Sequence, residues 1–235
     1  PGALALLLQK AEDTGADIVR ADYELIHISP DGTETPQPHP GGTACDLAAD
    51  GDYRKFLQNS GPQFVWNALY RRSAIGNLRF DEHCRYGLED FIFNAGLYAR
   101  TDKVHYLPQP VYRHFESGQS TSQCQTVQAL QGRIGVLDRW MTAEYKAIQA
   151  RCPEAARAAV WNDRRAQAIT FLMHQLADAK APGALARYPA PPLDLWHEAK
   201  HHKKQTGALL LYNLRLQRLY ELWANRPKNR RRKLP

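Results

Sequence analysis

Phe80-Asp81-Glu82-His83-Cys84-Arg85-Tyr86-Gly87-Leu88-Glu89-Asp90-Phe91-Ile92-Phe93-Asn94 is the stretch whose reading decides the fold. A glycine stands just ahead of an acidic pair, and the pair opens an apolar run. Phe91, Ala95 and Tyr98 recur in it at three- and four-residue spacing, which predicts a helix over residues 88–100. Carboxylates in the first turn of a helix meet unpaired backbone N–H groups and the positive end of the helix dipole, which favour the ionised form. One of Glu89 and Asp90 is thus placed to act as a base. The bland alternative is that the pair caps backbone donors, a contribution of about 0.5–2 kcal/mol.

Outward from this stretch, strands and helices alternate. Residues 1–13 carry a helical apolar pattern (Leu4, Leu7, Leu8, Ala11) that Gly15 ends, and residues 17–28 are rich in β-branched and apolar side chains, as in a strand. Ser29-Pro30-Asp31-Gly32 signals a turn, and the Pro- and Gly-rich segment to Gly42 a loop or loose hairpin. His27 and His39, in or beside it, read as solvent-facing. A short helix over 50–59 is stopped by Ser60-Gly61-Pro62, and an apolar run over 63–72 follows, broken by Asn67. Trp66 beside Asn67 either lines a sugar site, since aromatic faces and amide donors suit carbohydrate rings, or packs in the core. Past the central stretch, residues 104–106 and 110–114 read as strand, leading to the polar loop Gly118-Gln119-Ser120-Thr121-Ser122.

Beyond Ser122 the pattern becomes helical only: 126–151, 153–178, a Pro-rich joint over 181–192, and a last pair within 193–225. The fold class expected is α/β over 1–122, followed by an all-helical region over 123–235. No repeat is evident. With 235 residues and 43% hydrophobic side chains, the chain can bury a substantial core, which excludes wholesale disorder.

The net charge of +7 is uneven. From Lys200 onward eleven Lys and Arg face one acid, Glu221, while the preceding residues hold 20 basic against 23 acidic side chains. The final helix places Leu209, Tyr212, Leu216, Leu219 and Trp223 on one side, followed by Arg226-Pro227-Lys228-Asn229-Arg230-Arg231-Arg232-Lys233. That stripe is either a core seam or a partner face. Residues 206–235 are thereby a candidate for an anionic membrane surface, with a ceiling of roughly 6 kcal/mol for six basic side chains, enough for reversible docking. Nucleic acid is the poorer partner, because no recognised module surrounds the tail. Cys45, Cys84, Cys124 and Cys152 lack metal-ligand spacing and read as reduced thiols of a cytoplasmic protein. No run approaches the roughly 20 apolar residues of a membrane span, and no signal-peptide pattern opens the chain.

Three pieces, in this order, resemble the family 2 glycosyltransferases of the GT-A fold, in particular the bacterial enzymes that build surface polysaccharides. Pro1-Gly2-Ala3-Leu4, its helix and Ala16-Asp17-Ile18-Val19 resemble the segment directly after the family's D-x-D metal motif. Phe64-Val65-Trp66-Asn67-Ala68-Leu69-Tyr70-Arg71-Arg72 is similar to the acceptor-side segment, with Ala68 where the family often has lysine. Phe80 through Glu89-Asp90, with Tyr112 and residues 118–122, is similar to the Glu-Asp motif and the strand and loop after it. The likeness covers about residues 1–122. It implies a chain that starts inside a Rossmann-like GT-A domain, after the D-x-D motif, with the nucleotide-binding strands lying ahead of Pro1. It implies further an inverting transfer from a nucleotide-sugar donor, a UDP-sugar in expectation, to a saccharide or lipid-linked acceptor. Asp90 would be the base and Glu89 its orienting partner or an acceptor contact. Trp66 and Asn67 would shape the acceptor face, with His114, Gln119 and Ser120 near the donor phosphates. Mg2+ or Mn2+ would be held by the upstream motif, with no metal ligand among these residues, and these residues alone would not transfer sugar. The location implied is cytoplasmic, at the inner face of the cell membrane. A non-catalytic scaffold that docks on a membrane or a partner is the alternative from another class.

Overall fold

The computed structural model describes residues 2–29, 31–37, 41–59, 61–116, 126–179, 192–201 and 203–224. Helix α1 (Ala3–Thr14) ends on Gly15, whose left-handed φ of 67° closes it as the sequence signals. The chain then enters β1 (Ile18–Ile28), whose first five residues are all buried, the pattern of a strand covered on both faces.

Strand β1 is the centre of a mixed five-stranded sheet. On one edge it pairs antiparallel with β2 (Glu34–Gln37) and, at its other end, with β4 (Ala68–Tyr70). On the opposite edge runs β5 (Val104–Glu116), parallel to β1, and the two-residue β3 (Cys45–Asp46) covers the outer side of β5. The two short strands expected over 104–106 and 110–114 are therefore one. Leu107 pairs with Ala21 and Pro110 with Asp22, so a bulge absorbs Pro108, which has no N–H to give to the ladder.

The helix expected over 50–59 is two short ones, α2 (Leu47–Asp50) and α3 (Tyr53–Leu57), parted by left-handed Gly51 and capped by the Asp46 and Asp52 side chains. Helix α4 (Arg72–Ile75) follows β4, and α5 (Glu89–Tyr98) starts at the acidic pair. The helical half holds α6 (Val127–Gly135), α7 (Leu137–Arg151), α8 (Glu154–Asp178), α9 (Leu195–His201), α10 (Lys203–Asn213) and α11 (Gln217–Ala224).

Three readings of this half are corrected. The last pair expected within 193–225 is three helices, α9, α10 and α11. The run over 126–151 breaks at Val136, between α6 and α7. The supposed single C-terminal stripe is broken between α10 and α11. Arg215 takes φ 59°, its N–H bonds the Tyr212 carbonyl at 2.9 Å, and the Leu216 N–H reaches back to the Leu211 carbonyl at 2.7 Å. This is the helix-ending motif that usually uses glycine. Leu209 and Tyr212 consequently face the core, while Leu216 and Leu219 are exposed with Leu222.

The change of pattern near Ser122 separates kinds of element but not cores. Ile18, Tyr106, Phe93 and Leu97 of the α/β half share one apolar cluster with Ala147, Ile148 and Val160 of α7 and α8. Leu88 lies in another, with Leu130, Trp140 and Leu172. A third, under α1, joins Leu7 to Val19, Ala21 and Leu107.

Candidate active site

The acidic pair is presented by a backbone that two residues hold in unusual conformations. Gly87 has φ 104° and Leu88, which has a side chain, φ 77°. A left-handed non-glycine residue costs on the order of 1–2 kcal/mol. Burial of the Leu88 side chain among Leu130, Trp140 and Leu172 offsets that cost and fixes where α5 begins. Helix α5 has no side-chain cap at Leu88, and Asp90 turns outward from its own helix: its Oδ2 accepts the Val65 N–H at 3.2 Å. The carboxylate is thus tied to the segment that carries Trp66. Glu89 lies beside it with Oε2 buried and unbonded by any described group.

The first turn of a helix favours the ionised form of a carboxylate, and the surroundings of Asp90 oppose it. Burial pushes its pKa above the usual carboxylate range, opposed by the Val65 N–H, reinforced by the charge of Glu89, and opposed again by the Arg20 guanidinium. A carboxylate displaced in that direction is a better proton acceptor near neutral pH than an ordinary one.

Below the pair lies a buried polar hub that sequence reasoning missed. Arg20, on β1, is fully buried. Its guanidinium donates to the Tyr70 hydroxyl and Asn94 Oδ1 at 3.2 Å each, to Asn67 Oδ1 at 3.0 Å, and to the carbonyls of Gly61 and Phe64. Asn94, one turn beyond Asp90 on α5, returns its amide N–H groups to the carbonyls of Gln63 at 2.7 Å and Phe64 at 3.1 Å. The loop over 61–67 is therefore clamped from β1 and from α5 at once. Arg20 had one signal in the sequence, a cation inside a run otherwise fit for a buried strand.

Trp66 sits at the centre of an aromatic cluster. Its ring stacks on Phe64 at 4.8 Å and on His114 at 5.0 Å, with Tyr112 tilted at 4.7 Å and Tyr23 edge-on at 4.9 Å. Trp66 and His114 are half-buried and Tyr112 is exposed, so part of the cluster faces outward. His114 thus belongs beside Trp66. Asn67 differs from its expected part: it is fully buried, with Oδ1 on Arg20 and Nδ2 on the Ala21 carbonyl at 2.8 Å, and it supports the neighbouring tryptophan from inside. Gln119 and Ser120 lie outside the described residues. An open cleft of about 450 Å³, lined by the start of α1 with Glu24 of β1 and residues 110–113 of β5, shares Tyr112 with the cluster.

The resemblance implies that no D-x-D stands among these residues, and this is corrected: Asp50-Gly51-Asp52 is the sole D-x-D spelling in the chain, and local structure accounts for it. Asp50 Oδ2 accepts the Asp46 N–H at 3.1 Å and Asp52 Oδ1 the Lys55 N–H at 2.9 Å, so both are turn and cap acceptors on an exposed connection. Asp90, bonded to a backbone amide and influenced by the Arg20 charge, is likewise no cradle for a hard cation. The residues described around the pair do not fit the Mg2+ or Mn2+ that the resemblance implies. Three of the cysteines, Cys45, Cys84 and Cys152, are free, and burial pushes the Cys45 thiol up to about 12 and Cys84 to about 11.

No protein-family model matches the sequence, and a search of the curated proteins finds no match. No helix among the described residues is long and apolar enough to cross a membrane.

Proposed function

We propose that these residues form the acceptor side of an inverting glycosyltransferase of the GT-A type, acting in cell-surface polysaccharide or glycolipid synthesis. The observation that carries the reading is the half-buried Asp90, raised in pKa and fastened at 3.2 Å to the loop of the aromatic Trp66 cluster. A saccharide laid on that aromatic face presents hydroxyls to a nearby base. As the acceptor oxygen attacks the anomeric carbon, Asp90 takes its proton, and the bond from that carbon to the departing nucleotide diphosphate breaks on the opposite face, inverting the centre. Glu89, with a buried oxygen still without a described partner, accepts a second acceptor hydroxyl. Arg20, Asn94 and Asn67 hold loop and base in register without touching substrate. By resemblance the donor is a UDP-sugar accompanied by Mg2+ or Mn2+, which would screen the departing diphosphate when bound and for which the residues around Asp90 offer no ligand set.

The location we propose is cytoplasmic, peripheral at the inner face of the cell membrane. Exposed Leu216, Leu219 and Leu222, next to Arg218 and to the basic run over 226–233, support it. The same feature serves the alternative reading, a membrane- or partner-docking scaffold without catalysis. The two separate on turnover: sugar-nucleotide consumption that falls by about 10²–10⁴ in Asp90→Asn supports transfer, whereas vesicle binding with no turnover of any sugar nucleotide supports the scaffold.

A further inference from the structure

We propose a second site, away from the acidic pair: a Zn2+-class metal centre formed by Asp163 of α8 with His197 and Glu198 of α9. One ligand atom of each lies within 4.8 Å of the others. Asp163 and Glu198 are buried, and the His197 ring is largely so. His197 Nε2 stands 2.6 Å from Asp163 Oδ1, while the other Asp163 oxygen is held by Arg54 at 3.0 Å.

Arg54 holds one oxygen of Asp163 from the rim, so the other oxygen converges with the His197 imidazole and the Glu198 carboxylate. A divalent ion bound between these three would exchange the Asp163–His197 hydrogen bond for metal–ligand bonds, with the imidazole neutral. One imidazole with two carboxylates is a borderline nitrogen and oxygen donor set suited to Zn2+ and its neighbours, and unlike the all-oxygen sets of Mg2+ or Ca2+. Zinc bonds of about 2.0–2.2 Å set tetrahedral ligands roughly 3.3–3.6 Å apart. From its present hydrogen bond the imidazole has only to draw back by under about 1 Å, within the reach of a small χ adjustment.

The surroundings are built as a metal's outer shell is built. Asn162 donates to Glu198 Oε1 at 2.7 Å and accepts the Asp194 N–H at 2.7 Å, and Asp194 Oδ1 in turn accepts the backbone N–H of His197 at 3.1 Å. Ligand orientations are thus set before any ion arrives. A route exists too: a cleft of about 310 Å³ is lined by Arg54, Ala159 and Val160, and Asp163 follows the last two by one helical turn on the same face. Such an ion would staple α9 to α8, and hold in place the pair of helices that follows α9.

The experiment is a titration of the metal-stripped full chain with Co2+ and Zn2+, read by the visible ligand-field band of Co2+ and by calorimetric stoichiometry. The expected result is one equivalent per chain, a Tm that rises with Zn2+, and affinity weakened more than about 100-fold in Glu198→Gln and His197→Ala, beyond the loss typical of outer-shell changes. Glu198→Gln keeps an oxygen for Asn162 and so preserves the fold. Asp163→Asn, which keeps an acceptor for Arg54, is the second folded variant. No band in the wild type, or a band that persists in folded Glu198→Gln and Asp163→Asn, overturns the site and leaves the cluster as an Arg54–Asp163–His197 ion network.

Discussion

Asp90 carries opposite consequences for chemistry and for stability. Its pKa is raised in the folded chain, so its favourable contribution is present below the ordinary carboxylate value of about 3.9 and is lost as pH rises through the raised native value. At pH 7 the ionised side chain is therefore a burden. Asp90→Asn retains an oxygen for the Val65 N–H, and its Tm is expected to equal or exceed that of wild type at pH 7, the gain vanishing near pH 3. A lower Tm at pH 7 would instead identify the charge as a stabilising cap. Arg20 shows the converse. Arg20→Met takes the donor from the Gly61 carbonyl and from the buried Asn67 Oδ1, at about 1–3 kcal/mol each where unsatisfied, while the Phe64 carbonyl keeps the Asn94 amide and Asn94 Oδ1 keeps the Tyr70 hydroxyl. A loss of at least about 2 kcal/mol in denaturant unfolding is expected, and a loss under about 1 kcal/mol would show that the hub does not hold the loop.

Element boundaries explain both what could be read in the sequence and what could not. Helix α5 and strand β1 follow directly from periodicity and β-branched composition, and Gly87 marks the bend ahead of the acidic pair. With φ 104° and no side chain near its missing Cβ closer than 3.9 Å, Gly87 is required for backbone conformation rather than for space. Gly87→Ala is expected to cost about 1–2 kcal/mol and to lower turnover by displacing the start of α5. Unchanged melting would show the bend to be relaxed. The break at Arg215 was illegible because an arginine occupies a left-handed position where glycine gives the usual signal. The hub was illegible for another reason. Its partners are 47 and 74 residues from Arg20 in sequence, and nothing local announces which amide a buried guanidinium will meet. Asp90 itself was found from its neighbours, yet the sign of its pKa shift depends on tertiary burial, which helix position alone does not give.

For the whole molecule, the loop over 61–67 is supported from both halves. Asn94 of α5 holds the Gln63 carbonyl, and the Gln63 amide oxygen, oriented to suit its neighbours, accepts from Arg164 Nη2 of α8 at 2.9 Å. Arg164 is itself paired with buried Glu144 of α7 at 2.8 Å. The C-terminal helices are likewise structural, with Leu209, Tyr212 and Tyr220 in the core, so removing residues 206–235 would unfold the helical half and not merely release a tail. The membrane reading is better tested by ending the chain at Asn225 and by Leu219→Asp with Leu222→Asp. Each is expected to abolish sedimentation with vesicles containing phosphatidylserine while leaving Tm unchanged, and undiminished binding would remove the tail from that role. Whether Asp90 is the base of a sugar transfer is decided by sugar-nucleotide turnover of the protein expressed from its natural gene, wild type against Asp90→Asn, with Mn2+ present. If Asp90 is the base, the wild type turns over and the variant, melting no lower, falls by about 10²–10⁴. Full activity in Asp90→Asn, or a wild type that consumes no sugar nucleotide, would contradict it.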